Sequence, residues 1–341
     1  MPLSSTSPEP STPPKRVLIT GGAGFIGSHL VDQSLKAGHQ VVVIDNCSTG
    51  SASNLAHHGD RVRFIQNSLS DGLEQIASDE PFDLIYHLAA AVGVDLVLKD
   101  PIGSIRTNIQ QTDAILEYAR NNGAPPTFIA SSSEVYGKPG VSVFSEEDDS
   151  IYGPTSISRW SYAHAKAIDE YLALAYTAQH GLPVVVARFF NTVGPRQLGS
   201  YGMVLPRFVQ AALSNHPLRV FGDGQQSRCF CDVRDVVAVL PRLMACTDAY
   251  GKVMNIGSDR SISIQELAKL VIAVTGSEST IEHVEYSDAY PAGFEDLRHR
   301  KPDLTRVRSY VSFDYNYTLE QTIGDMAELL RADAGIESGA V

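Results

Sequence analysis

Tyr162 and Lys166 lie four residues apart in the stretch WSYAHAK (160–166). If that stretch is helical, both side chains share one face. A phenol is a poor base, since its ordinary pKa is about 10. A lysine ammonium one turn away favours the phenolate. Such a pair can draw a proton from an alcohol while a hydride leaves for an acceptor. The spacing alone is common, so its meaning depends on its surroundings. Upstream, SSSEVYG (131–137) sets three serines and a glutamate at the end of an apolar run. Of Ser131, Ser132 and Ser133, Ser132 is the expected holder of the reacting hydroxyl.

The hydride acceptor is suggested by ITGGAGFIG (19–27), in which Gly21, Gly24 and Gly27 follow an apolar run and open a helical pattern. Gly21 permits a tight turn, Gly24 lets a pyrophosphate approach the backbone, and Gly27 lets the helix pack on the strand. The first N–H groups of that helix then face the phosphates. Asp45 ends the next apolar run, 18 residues after Gly27. A carboxylate there accepts hydrogen bonds from a ribose 2′-hydroxyl and repels a 2′-phosphate, so NAD is expected over NADP.

The elements that must position these groups follow from the apolar texture. RVLIT (16–20), QVVVID (40–45), VRFIQ (62–66), FDLIYHLAA (82–90), PTFIASSS (126–133) and LPVVVARFF (182–190) read as strands alternating with helices. Their Val/Ile-rich runs lack polar alternation, as in parallel strands covered on both faces. The fold class expected is α/β: a Rossmann doubly wound parallel sheet with a smaller, discontinuous α/β substrate-binding lobe. KVMNIG (252–257) reads as a strand returning to the sheet. The dinucleotide domain is therefore placed at 15–196 with 235–257, and the second lobe at 197–234 with 258–333. Residues 1–14, rich in Pro, Ser and Thr, read as a disordered tail and not a signal peptide; 334–341 read as a flexible tail.

Bulk properties narrow the classes. The 341 residues are 43% hydrophobic, enough for two lobes, and carry a net charge of -12, which disfavours nucleic acid as a partner. Cys47, Cys229, Cys231 and Cys246 form no disulfide framework and a single C-x-C pair. No metal is expected, and reduced thiols suit the cytoplasm. No apolar run reaches membrane-spanning length. His87 is expected to pack without a chemical role, His164 to lie on another helix face, and Trp160 to pack near the site entrance.

The motifs GGAGFIG, HLAA (87–90), SSSEVYG, Y-x-x-x-K, RFFNTVGPR (188–196), GDGQQSRCF (222–230) and NIG (255–257) together resemble the extended short-chain dehydrogenase/reductases that act on nucleotide sugars. The resemblance spans Lys15 to about residue 333. It implies that Gly21, Gly24, Phe25, Ile26, Gly27, Asp45, Asn46, Ser68, Leu69, Leu88, Ala89, Ala90, Tyr162 and Lys166 contact NAD. It further implies that Ser133, Asn191, Arg207, Arg228 and Arg300 hold a nucleotide sugar, most simply UDP-linked. The helix after Ile102 and the Tyr162 helix would form a homodimer interface. One departure stands out: the usual G-D-[LI] near the adenine is Asn67-Ser68-Leu69 here.

Such proteins oxidise the sugar, commonly at C4, and then diverge. Ser132-Ser133-Glu134 resembles the T-S-E of UDP-glucuronate decarboxylases more than the epimerase or T-D-E dehydratase patterns, although GDP-mannose 4,6-dehydratase also shows T-S-E. RWSYAHAK (159–166) and FEDLRHRKPD (294–303) are similar to segments of the decarboxylases. In that reading Glu134 orients the C5 carboxylate or relays a proton, and Arg300 grips the carboxylate or the diphosphate. The expected catalytic set is Tyr162, Lys166, Ser132, Glu134 and Arg300. The expected activity is NAD-dependent decarboxylation of UDP-glucuronate to UDP-xylose or its 4-keto form. The alternatives are a UDP-sugar 4-epimerase, a 4,6-dehydratase, or a non-catalytic NAD-sensing regulator.

Overall fold

The computed structural model describes residues 13–91, 100–158, 160–199, 203–285 and 298–333. The terminal tails up to residue 12 and from 334, Arg159, and residues 294–297 of the quoted motifs lie outside the described residues. The strands run β1 (Arg16–Thr20), β2 (Gln40–Ile44), β3 (Val62–Ile65), β4 (Leu84–His87), β5 (Thr127–Ser132), β6 (Val143–Phe144), β7 (Val184–Phe189) and β8 (Thr192–Val193). They continue with β9 (Leu218–Phe221), β10 (Ser227–Cys229), β11 (Cys231–Asp232), β12 (Lys252–Ile256), β13 (Ser261–Ser263), β14 (Ile281–Val284) and β15 (His299–Pro302). The longer helices are α1 (Phe25–Lys36), α2 (Leu69–Gln75), α3 (Pro101–Asn121), α4 (Trp160–His180), α5 (Val204–Leu213), α6 (Val233–Ala245), α7 (Ile264–Thr275) and α8 (Leu319–Asp333).

Seven strands make one parallel sheet in the order β12-β7-β5-β4-β1-β2-β3. Successive side chains go to opposite faces, because a strand has a period of two. Val17 and Ile19 of β1, Val41 and Val43 of β2, and Val185 and Ala187 of β7 join the core under α1 and α6. Leu18, Val42, Val184 and Val186 join the opposite core under α2, α3 and α4. Both faces are covered, so the strands carry no polar alternation. Strand order reverses between neighbours β1 and β4, with Thr20 in register with His87. The loops leaving those two strands diverge, and a crevice opens at the carboxyl edge of the sheet.

The second lobe has its own apolar cluster, including Leu205, Phe208, Leu218, Leu267 and Met326. Its helix α7 is well delimited: Ser263 and Glu266 form a reciprocal capping box, and Gly276 closes the end in a left-handed conformation. A separate four-stranded sheet, β13-β10-β15-β6, is tied to edge strand β12 of the main sheet by Asn255 Nδ2, which donates to the Phe144 carbonyl of β6. In it β10 and β15 run parallel with Arg228 in register with Arg300.

Candidate active site

The glycine turn is shaped by close backbone approach. Gly21 has φ +73, and a Cβ on it would sit 2.6 Å from the Ala89 nitrogen. A Cβ on Gly27 would meet the Gly21 carbonyl at 2.1 Å. Gly24 is the N-cap of α1, where no side chain caps the helix. The first α1 amides therefore keep their N–H groups for an anion, and the residues present fit a dinucleotide pyrophosphate. Phe25 and Ile26, in the first turn, and Leu88, Ala89 and Ala90, after β4, are half-buried along this crevice.

Asp45 does a second job that the sequence did not reveal. Its Oδ2 accepts from the Ala23 amide at 2.9 Å and its Oδ1 from the Cys47 amide at 2.8 Å. The carboxylate staples the glycine turn to the end of β2, and lone pairs remain for a ribose hydroxyl. Asn46 accepts from the Ser48 amide. Ser68 is the N-cap of α2, its hydroxyl accepting from the Asp71 amide at 3.2 Å. Leu69 is buried in the core beneath.

Strand periodicity separates the three serines. Ser131 turns inward and donates to Glu170 Oε1 at 2.5 Å. Ser132 turns to the other side and lies beside Tyr162. Ser133 is buried on the following turn, 3.5 Å from Arg300 Nη1. Glu134 Oε1 accepts from Arg300 Nη1 at 2.7 Å, and the Ser132 hydroxyl accepts from the Glu134 amide at 3.2 Å. Tyr162, Ser132, Ser133, Glu134 and Arg300 thus form one contiguous group, with Lys166 one turn along α4.

The electrostatics correct the simple picture of the pair. The Lys166 ammonium is buried and donates to the Ala130 carbonyl and to Asp169 Oδ2, both at 3.0 Å. The Tyr162 phenol is pushed up from its ordinary value, by burial first and then by the negative charges of Glu134 and Asp169. Lys166 alone therefore does not acidify the phenol, because its charge is already matched by Asp169. Behind this pair lies a second buried one, with Arg188 Nη2 2.7 Å from Glu170 Oε2. Removing one partner of either pair would leave a buried charge, at a cost of about 3–5 kcal/mol.

On the substrate side, Arg228 and Arg300 are register neighbours on parallel strands and both are buried. Like charges side by side are unfavourable in a sheet. Glu134 sets a negative charge against Arg300, and guanidinium groups suit a diphosphate or carboxylate. Asn191, at φ 35, donates to the Cys229 carbonyl and so ties the end of β7 to the Arg228 strand. Arg207 stands apart, with its guanidinium 5.5 Å over the Phe221 ring.

The remaining candidates follow their packing. His87 is buried between Thr20 and Thr112, and burial with the nearby Lys166 charge pushes its pKa down to about 3. Trp160 is buried, and its ring lies where a Cβ on Gly153 would fall. His164 is half-buried, 4.0 Å from the Tyr152 ring. Sequence reasoning missed Asp169 and the Glu170–Arg188 pair; the K-x-x-D-E spacing after Tyr162 was the available signal. It also missed the cluster of Asp32, His57 and His58. There Arg196 occupies the other Asp32 oxygen and Arg61 lies against His58 Nδ1, so the group reads as an ion cluster.

Residues 17–257 match the NAD dependent epimerase/dehydratase family. The chain is 42% identical over 318 residues to the UDP-N-acetyl-alpha-D-glucosaminuronate decarboxylase of Bacillus cytotoxicus, covering 93% of this chain and 98% of that protein. It is 34% identical to UDP-glucuronic acid decarboxylase 1 of Xenopus tropicalis, covering 94% and 73%. An epimerase from Methanothermobacter thermautotrophicus superposes with a TM-score of 0.86 at 25% identity, covering 94% of each chain. The UDP-glucose 4-epimerase of Thermotoga maritima, solved with UDP-glucose, gives 0.82 at 28% identity, covering 94% and 99%.

Proposed function

The chain belongs to the NAD dependent epimerase/dehydratase family, and from that premise we propose that it is a decarboxylase of a UDP-linked hexuronic acid. The observation that carries this reading is the Glu134–Arg300 ion pair beside Ser132 and Tyr162. An acid and a guanidinium so close to Tyr162 and Ser132 support a sugar carboxylate held next to the oxidised carbon. The decarboxylase relatives support the same reading.

In this reading, Ser132 and Tyr162 hold the C4 hydroxyl and Tyr162 takes its proton. A bound NAD supplies the hydride acceptor and, when oxidised, a positive ring beside the phenol. Glycines 21, 24 and 27 with the start of α1 hold its pyrophosphate, Asp45 its ribose, and Lys166 its nicotinamide end. A ketone at C4 makes the C5 carboxylate that of a β-keto acid. When carbon dioxide leaves, the bonding pair ends on the C4 oxygen, and Tyr162 and Ser132 are the donors facing that charge. Arg228 and Arg300 hold the anionic groups of the substrate, and Glu134 fixes Arg300. Asn191 steadies that strand, and Arg207 lies at the outer edge of the lobe.

The test is incubation of the NAD-loaded chain with UDP-glucuronate and with UDP-N-acetylglucosaminuronate, followed by mass analysis and carbon dioxide capture. The 42% relative favours the N-acetylated sugar, and either substrate losing carbon dioxide supports the proposal. A product of unchanged mass, epimerised at C4, would reject it in favour of an epimerase. Among the described residues no helix is long and apolar enough to cross a membrane. The four free cysteines support a reducing, cytoplasmic setting. Ile102, Ile105, Ile168 and Tyr171 leave exposed apolar surface on α3 and α4. This surface supports a homodimer through those two helices, which light scattering would check.

A further inference from the structure

Helix α4 carries a third chemistry-bearing side chain on the stripe that holds Tyr162 and Lys166. Asp169 lies three residues beyond the lysine, is 0% exposed, and sets its Oδ2 3.0 Å from Lys166 Nζ. The same ammonium is held from the sheet by the Ala130 carbonyl. Thr112, buried on the neighbouring helix α3, lies beside Asp169, whose second oxygen, Oδ1, is buried with no hydrogen-bond partner. Thr112 also reaches His87 Nε2, and His87 Nδ1 meets Thr20 Oγ1 at 2.7 Å. The carboxylate is thereby held by Lys166 alone, with the Thr112–His87–Thr20 chain packed behind it.

A buried lysine requires a counter-charge, and that need alone would be met by an acid on any side. Here the acid sits on the active stripe itself. A lysine acts on a neighbouring phenol through its charge, and a carboxylate at 3.0 Å offsets most of that field. The other groups around the phenol are committed elsewhere. Glu134 pairs with Arg300, and Glu170 turns to Arg188 on β7. Ser132 carries no charge, and buried His87 is held neutral. Glu134 and Asp169 are the carboxylates whose charge reaches Tyr162, and Asp169 is the one paired with Lys166.

We propose that Asp169 is a positioning residue for the Tyr162–Lys166 pair. It fixes the ammonium against Ala130 and cancels most of its charge, so the phenol yields its proton only with an oxidised dinucleotide alongside. This rests on the reading of Tyr162 as the base. Without a dinucleotide Tyr162, Lys166 and Asp169 together are neutral and the phenol keeps its proton; an oxidised nicotinamide held there would add the positive charge that Asp169 offsets.

The experiment is an ultraviolet difference titration of the full chain, each variant being read against its own Tyr162→Phe partner so that only this phenol is seen. In the parent, no Tyr162 ionisation appears below the pH at which the chain unfolds. In Asp169→Asn it moves into the accessible range, a drop in proton affinity of at least about tenfold, or one pH unit. Asp169→Glu, which keeps the charge, behaves as the parent. With NAD bound, the acid limb of the pH–rate profile moves to lower pH in Asp169→Asn, because a more acidic base is deprotonated earlier. A folded Asp169→Asn that titrates like the parent overturns the proposal, and so does an Asp169→Glu that shifts as far as Asn. If Asp169→Asn does not fold, Asp169→Ser, with room for a water beside Lys166, carries the same expectation. The titration needs no turnover and no nucleotide sugar. A chain that decarboxylates nothing would therefore reject the proposed function and leave this result readable.

Discussion

The two sides of the crevice are built from different materials. The dinucleotide side is made of backbone: a left-handed turn at Gly21, a carbonyl packed where Gly27 has no side chain, and helix amides without a side-chain cap. The side proposed for the sugar is made of charged side chains: Glu134, Arg228 and Arg300, backed by the buried pairs Lys166–Asp169 and Arg188–Glu170. A backbone site cannot be edited without disturbing the fold, because the same atoms do both jobs. A side-chain site can exchange chemistry while its strands stay in place. One fold can thus keep its cofactor and vary its reaction.

Substitutions can break or sharpen that contrast. The largest effect is expected from Tyr162→Phe, which should lower kcat by about 10²–10⁴-fold, the range of a positioned general base. Its melting temperature should stay near the parent's, read by calorimetry beside carbon dioxide release. Arg300→Ala should lower kcat/KM by roughly 10–150-fold, the equivalent of one charge-assisted hydrogen bond. Isothermal titration with UDP should show how much of that loss is binding. Gly27→Ala should act differently. Its Cβ would meet the Gly21 carbonyl at 2.1 Å, so stability falls by about 1–3 kcal/mol and NAD binding falls with it. Loss of NAD affinity at unchanged stability would undo the contrast on this side. The smallest effect is expected from Ser68→Ala, where a lost N-cap costs about 1 kcal/mol in denaturant unfolding. NAD affinity should stay within about threefold; a larger loss would assign the hydroxyl to the adenine as well.

The same contrast decides what could be read from the sequence. RVLIT was placed on the strand that the structure shows at Arg16–Thr20, and the other six runs on theirs to within a few residues. Buried parallel strands must be apolar, and the glycines of the turn cannot be replaced. Ser132 was picked from three adjacent serines, and the structure shows Ser131 turned to Glu170 instead. Arg300 and Glu134 came only from resemblance, because their partnership spans 166 positions and leaves no local pattern. Asp169 was visible as a letter but not as a partner. A K-x-x-D spacing is an ordinary surface pair until burial makes it costly. The pairing of Lys166 with that acid is what the sequence did not show about the charge around the phenol.

The small sheet that carries the arginines has a consequence for biosynthesis. Ser227 and His299, bonded side by side, lie 72 residues apart, and β15 holds the central place between β10 and β6. A nascent chain released as far as β12 already owns every strand of the main sheet, yet its anion clamp waits for the last stretch to emerge. Closing so long a segment is slow relative to local contacts. The ribosome therefore delivers the main parallel sheet first and the paired arginine strands only at the end.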